Sequence, residues 1–493
     1  MFRLKLDPSR AALAIAAIFA LLYVGTLGVR PLLRHDEFRY AEIPREMLAS
    51  GDFVTPRLNG LRYFEKPVFG YWSEALSLTV FGENRFGARM VSVLSTGLCA
   101  WFMFVFVRRE TGRHDTAALA AFIYLTSLLV FVIGTFNVLD PELTLWLTLT
   151  IGFCYRACTE QRKRPQANWL AAAGITAGLA FLTKGPLGFV IPGIVMLPYL
   201  LWRKQASLLP RFIGIPAVAS LLLVAPWAVL IQLQEPDFWH YFIWNENLRR
   251  FGSETVSRAE PAWFFIALLP LMILPWTFLV PAAIAGIRRI DIKHSSVAFL
   301  LFWFVIPFCF FSIARAKLVT YILPCLPPLA MLLGIGLHKA VECGANRAMR
   351  AGMAALSTFF VAGIAGLLAN TAGTLGKPLY DANTEADTVT MIVLALAAGA
   401  IISAVALLKS AARYRHWLGG LSICTLLIVL PFSTPESVRL DKMPGEFLHQ
   451  QAALTRPDAI LVASGTLVHT VDWEFRRNDV YLLLDPGELR YGV

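Results

Sequence analysis

The sequence predicts an all-α polytopic membrane protein of about thirteen transmembrane helices with a small soluble tail. Three observations predict it. Of 493 residues, 57% are hydrophobic and 16% charged, where a soluble domain has about a quarter charged. The apolar residues gather in discrete runs, many near the roughly 20 residues a helix needs to cross hydrocarbon. Between the runs, Lys and Arg alternate along the chain as the positive-inside rule requires.

The runs lie near 11–29, 86–107, 116–136, 139–155, 169–183, 186–202, 211–233, 262–285, 297–314, 319–338, 351–370, 388–408 and 417–432. They are read as helices because a helix satisfies its own backbone hydrogen bonds in lipid. The first follows Arg3, Lys5 and Arg10 and has no small-residue cleavage site before RHDEFRYAE, so it reads as a retained anchor. With the N-terminus inside, the inner loops hold Arg108, Arg109 and Arg113; Arg156, Arg162, Lys163 and Arg164; Arg203 and Lys204; Arg288, Arg289 and Lys293; Lys339, Arg347 and Arg350; Lys409, Arg413 and Arg415. Residues 1–432 then form the transmembrane domain, and 30–85 its first outer loop. The periodicity of 36–50 and 67–81 predicts two helices lying along the interface. Residues 433–493 fall outside. Their AILVASG and DVYLLLD segments read as short strands, giving a small α/β domain that leans on the membrane part.

The net charge of +11 comes mostly from basic loops between apolar runs, which sets nucleic acid aside as a partner. The seven cysteines lie in apolar runs or inner loops, against a disulfide framework or a cysteine metal site.

The informative charges are those outside, where the bias predicts few. The first outer loop carries Arg30, Arg34, Arg39, Arg45, Arg57, Arg62, Lys66 and Arg85; Arg249 and Arg250 lie in the loop 234–261. Lys184 sits in LTKGP between two apolar runs, and Arg315 and Lys317 occupy a similarly tight turn. Arg30, Arg85 and Arg258 read as side chains reaching lipid headgroups. Lys184 and Lys317 read as ligand-binding, because ionisable groups at membrane depth are usually functional. Such a gathering of cations suits an anion, phosphate above all. Carboxylates accompany it: Asp36 and Glu37 past the first run, Glu65 before Lys66, and Asp140 with Glu142 behind it. A carboxylate there can act as a base, hold a divalent metal, or orient the cations; the sequence leaves the metal and its ligands open and calls for no organic cofactor. Tyr40, Tyr63 and other aromatics of the outer segments suit a lipid substrate at the bilayer edge. A lipid-phosphate transporter is the rival reading, but neither internal repeat nor midplane charge pair supports it.

The stretch DEFRYAEIPREMLASGDFVTPRLNGLRYFEKPVFGYW resembles the first periplasmic loop of the bacterial aminoarabinose lipid A transferases. LTKGPLGFVIP, PDFWHYFIW with NLRRF, FSIARAKLVTYILPCLPPLA and RRNDVYLLLDPGELRYGV are similar to the same family. The resemblance implies a GT-C glycosyltransferase related to protein O-mannosyltransferases, in the bacterial inner membrane with its active site facing the periplasm. Such an enzyme moves a sugar from a polyprenyl phosphate donor to lipid A, inverting the anomeric centre, and so confers resistance to polymyxin. A transferase acting on protein or another glycolipid stays open. The resemblance matches Asp36 to the acidic residue of the catalytic centre, Asp140 to a second acidic position, and Lys66 and Lys184 to lysines near the carrier phosphate. It matches Tyr40 and Tyr321 to cavity-lining tyrosines, and Arg249 or Arg250 to a basic residue of the outer loop. Asn247 stands where relatives often have a histidine, with His240 nearby, and relatives continue beyond GELRYGV, so the tail domain is expected to be small or shortened.

Overall fold

The computed structural model describes residues 8–249, 259–483 and 487–492. The chain is helical almost throughout. Helix α1 spans Pro8–Phe19, α2 Asp36–Ser50, α3 Phe69–Phe81, α4 Gly87–Thr111, α5 His114–Thr126, α6 Leu128–Gly134 and α7 Asp140–Thr159. Then follow α8 Lys163–Lys184, α9 Leu187–Trp202, α10 Leu209–Gln234, α11 Phe264–Met272, α12 Val280–Ile287, α13 Ser296–Ile313 and α14 Leu326–Glu342. Helices α15 Asn346–Thr371, α16 Ala386–Val405 and α17 Arg415–Val429 complete the bundle.

Each apolar run falls on helix. Among the described residues, seven helical segments are long and apolar enough to cross a membrane, or nine if two bent pairs each count as one span. Those pairs are α5 with α6, bent by 65°, and α11 with Trp276–Ile287, bent by 95°. Ala12–Val24 and Leu187–Trp202 are shorter apolar helices. Length and composition therefore establish a multi-pass membrane protein. The two breaks meet. Leu128 donates its backbone N–H to the Leu274 carbonyl at 3.1 Å, and Trp276 Nε1 donates to Thr126 Oγ1 at 3.0 Å. Bends in hydrocarbon expose backbone groups that must be paired within the protein, and here each bend supplies partners to the other.

The first outer segment is built on α2 and α3, close to the two helices expected there. Acidic Asp36 and Glu37 occupy the first turn of α2, where the helix dipole favours them. Gly51 ends the helix in the left-handed conformation, its N–H donating to the Met47 carbonyl. Strands β1 (Arg57–Leu58) and β2 (Leu61–Arg62) form an antiparallel hairpin turning at Asn59-Gly60, both at positive φ, the residue pair such tight turns favour. Glu46 on α2 accepts from both turn N–H groups.

The tail contains α18 (Glu436–Lys442), α19 (Gly445–Leu454) and α20 (Val468–Phe475), with a parallel pair β3 (Val462–Ser464) and β4 (Tyr481–Leu483) at the predicted strand segments. It packs on the first outer segment. Trp473 joins a core with Leu32, Phe38, Ala41, Leu78 and Ala88. Asn59 exchanges two hydrogen bonds with the Val480 backbone, at 2.8 and 3.0 Å. Arg34–Asp441, Arg85–Glu446 and Arg476–Glu83 ion pairs ring the contact.

Candidate active site

Neighbouring helices α7 and α8 are joined by a short connection, so the start of one lies by the end of the other. That geometry brings Asp140, the first residue of α7, against Lys184, the last of α8. Lys184 Nζ lies 2.8 Å from Asp140 Oδ1. Each charge also sits at the helix end whose dipole favours it. Gly185 follows at φ 85° and lets the chain reverse into α9; a Cβ there would also strike the Phe242 ring. Lys184 Nζ stands 5.4 Å from the ring centroid of Tyr321, in cation–π range.

A second lysine is held in the same way. Lys66 Nζ donates to Glu246 Oε1 at 2.6 Å and to the Glu65 carbonyl at 2.8 Å. Glu246 comes from the π-helical segment His240–Arg249 of the outer loop. Tyr40 links the two lysine pairs to the catalytic candidate. Its buried hydroxyl lies within electrostatic range of Arg39, Asp36, Asp140 and Glu65, and burial first, then those carboxylates, push its pKa up against the pull of Arg39. Tyr40 stacks on Tyr71 at 6.4 Å, and Tyr63 is buried in the same cluster of side chains.

Asp36 faces this group from the N-terminus of α2. It is 54% exposed and paired to Arg39, whose guanidinium covers the Tyr40 ring at 5.0 Å. His35 before it adopts φ 70° and ψ −82°, a sparsely populated conformation of the kind that clusters at functional sites.

Glu37 corrects the expectation of an adjacent catalytic pair. It is fully buried and faces the other way. Arg89 Nε and Nη2 donate to it at 2.6 and 2.9 Å, Arg30 lies at 3.0 Å, and the Leu33 and Asn137 N–H groups complete its shell. Burial raises its pKa, but Arg30 and Arg89 outweigh that and hold it at about 2. Arg30 is thus an internal ion-pair partner, not a headgroup contact. Lys317 corrects another expectation: it turns inward and donates to the Ala314 and Glu260 carbonyls, clipping the turn 314–317 to the strand-like bridge at Ala259. Burial lowers its pKa, partly offset by Glu260. Arg315 is exposed on the same turn. Arg250 and the side chain of Arg249 lie outside the described residues.

Sequence reasoning passed over Glu246, Arg89 and His469. The outer loop reads for its arginines, aromatics and Asn247, which passes over the acidic Glu246, and Arg89 lies within an apolar run. His469 is buried on α20 within electrostatic range of Arg39 and His35.

The arrangement sets two lysines, each paired to a carboxylate, beside one accessible carboxylate. Residues 9–242, which span most of it, match the family model described as dolichyl-phosphate-mannose-protein mannosyltransferase, and residues 440–493 match that of the arabinosyl transferase ArnT C-terminal domain. The undecaprenyl phosphate-α-4-amino-4-deoxy-L-arabinose arabinosyl transferase of Yersinia enterocolitica is 35% identical over 99% of this chain and 88% of its own length. Its counterpart in Shewanella sediminis is 37% identical over 99% and 89%. The crystal structure of ArnT from Cupriavidus metallidurans bound to undecaprenyl phosphate superimposes with a TM-score of 0.84 at 27% identity, covering 98% of this chain and 87% of that one. An archaeal oligosaccharyltransferase from Archaeoglobus fulgidus shares the fold at a TM-score of 0.55 and 12% identity, covering 96% and 64%.

Proposed function

Because this chain belongs to the undecaprenyl phosphate-aminoarabinose arabinosyl transferase family, we propose that it moves 4-amino-4-deoxy-L-arabinose from undecaprenyl phosphate to a phosphate of lipid A. The chain is an integral-membrane glycosyltransferase that uses a polyprenyl-phosphate sugar. The observation that carries the reading is a relationship above 30% identity that runs through both lysine pairs and the tail.

In the proposed reaction the donor phosphate lies between Lys66 and Lys184, displacing Glu246 and Asp140 from their ammonium groups. The anomeric C–O bond breaks and its electron pair stays on the prenyl phosphate. The two lysines balance that growing charge in a pocket with little water, where fixed cations act strongly. A lipid A phosphate oxygen closes the new bond from the opposite face, with inversion. That oxygen is already anionic, so Asp36 serves to orient the acceptor and to face the positive character of the sugar, not to remove a proton. Arg39 fixes the Asp36 carboxylate, and Tyr40, Tyr63 and Tyr321 form walls. On this reading the N-terminus lies inside and the first crossing carries this face to the periplasmic side of the inner membrane. The added amine lowers the surface charge that polymyxin and other cationic peptides bind. Mass spectrometry of lipid A from cells with and without this chain tests the reading: an aminoarabinose adduct that needs the chain supports it, and identical profiles reject it.

A further inference from the structure

Away from the lysine pairs, α2 presents Glu42 and Glu46 one turn apart on a single face, and α20 of the tail lays Asp472 against them. The carboxylate oxygens of the three lie within 4.8 Å of one another, and all three residues are buried. Glu42 receives two hydrogen bonds from Arg45. Glu46 accepts from the Asn59 and Gly60 N–H groups and from the Asn478 side chain. Asp472 is different. It is 0% exposed, and neither carboxylate oxygen has a hydrogen-bond partner. An unpaired buried carboxylate costs several kcal/mol unless something neutralises it. Arg45 is the cation bonded to this cluster; Arg476, paired with Glu83, acts on Glu42 only from a distance.

We propose that Glu42, Glu46 and Asp472 form a site for a hard divalent cation, calcium above all, that pins the tail domain to the helix bearing Asp36. The ligand set is all carboxylate oxygen, which suits calcium or magnesium and not zinc or copper. Oxygens that all lie within 4.8 Å of one another are close enough to share one calcium ion with ligands at about 2.3–2.6 Å. Calcium is favoured because Arg45 and the hairpin backbone already fix two of the carboxylates, and calcium accepts irregular geometry where magnesium demands a near-ideal octahedron. The ion's two charges complete the balance that Arg45 begins. Burial and the crowding of carboxylates push Asp472 up to about 10 and Glu42 to about 8, so without a cation the cluster holds protons instead. The site is separate from the donor pocket and does not depend on the identity of the sugar or acceptor.

The test uses full-length protein in detergent, stripped with a chelator, desalted, and titrated with calcium chloride. Bound calcium is counted by equilibrium dialysis with radioactive calcium, and thermal unfolding is followed alongside. About one ion per chain and a saturable rise in melting temperature are expected. Asp472→Asn, which keeps the shape and removes the buried charge, should fold, lose that ion and lose the response; Glu42→Gln gives the same readout through another ligand. No binding of calcium or magnesium at millimolar concentration overturns the proposal. So does full binding in folded Asp472→Asn and Glu42→Gln, which would put the ion elsewhere.

Discussion

Lys66 and Lys184 share one arrangement: a lysine amine against a carboxylate from a different segment, Glu246 for the first and Asp140 for the second. In the proposed reaction the carboxylate holds the cation until a phosphate replaces it. Truncation of either lysine to alanine is expected to lower turnover about 100-fold, the cost of removing one charge-stabilising donor, with arginine restoring only part. Steady-state rates with purified enzyme check this. Glu37 behaves differently. Glu37→Gln breaks a buried ion pair and should cost about 3–5 kcal/mol of stability. Its carboxyl is held at about 2 against an ordinary 4.5. A depressed carboxylate stabilises the fold fully above its unfolded value and loses that contribution as pH falls through the folded one. Thermal melts between pH 4.5 and 2 should therefore flatten in Glu37→Gln relative to the parent. Asp36, Asp140 and Lys184 stand out in the sequence as ionisable residues at a membrane boundary, Lys66 through the family resemblance, and the structure sets them near one another. Glu37 was misread because adjacency in sequence hides direction: successive helical residues point about 100° apart, and only the fold reveals Arg89 on the far side.

At the level of elements, hydropathy located the helices well and their breaks poorly. The run 116–136 reads as one span, yet it turns at Ser127, and 262–285 turns near Leu274. Nothing in the first run marks its bend, whereas Pro270 and Pro275 mark the second; the Leu128 N–H bonded to the Leu274 carbonyl joins the two breaks. The Asn59-Gly60 hairpin had its turn signal in plain sight, but two-residue strands are too short for a period to show. Close helix packing was likewise invisible. Gly286 on α12 and Gly336 on α14 touch so closely that a Cβ at 286 would collide with the Gly336 carbonyl, the small-residue contact that lets membrane helices approach. Gly286→Ala should lower thermal stability by about 1–3 kcal/mol through overpacking, read by melting the detergent-solubilised protein. An unchanged melt would mean the helices separate without cost.

For the whole molecule, the tail packs on the first outer segment, which supplies Asp36 and Lys66, while the bundle supplies Lys184 and Asp140. The ion pairs from Arg34, Arg85 and Arg476 explain part of the outer basic excess, so not every cation outside serves the ligand. Charge bias in the loops predicts a sidedness by counting alone; the pairing of tail with loop needed the fold. A reporter fused at position 36 is expected to face the periplasm, and a cytoplasmic signal would remove the access to lipid A on which the reaction depends. The central claim is that this face transfers a sugar from a prenyl phosphate to an anionic lipid. The most direct measurement gives purified chain in lipid nanodiscs undecaprenyl phosphate-aminoarabinose and lipid A, and follows the products by mass spectrometry. The account predicts lipid A carrying one added aminoarabinose with the parent chain and none with folded Asp36→Asn; transfer at the parent rate by that variant would contradict it.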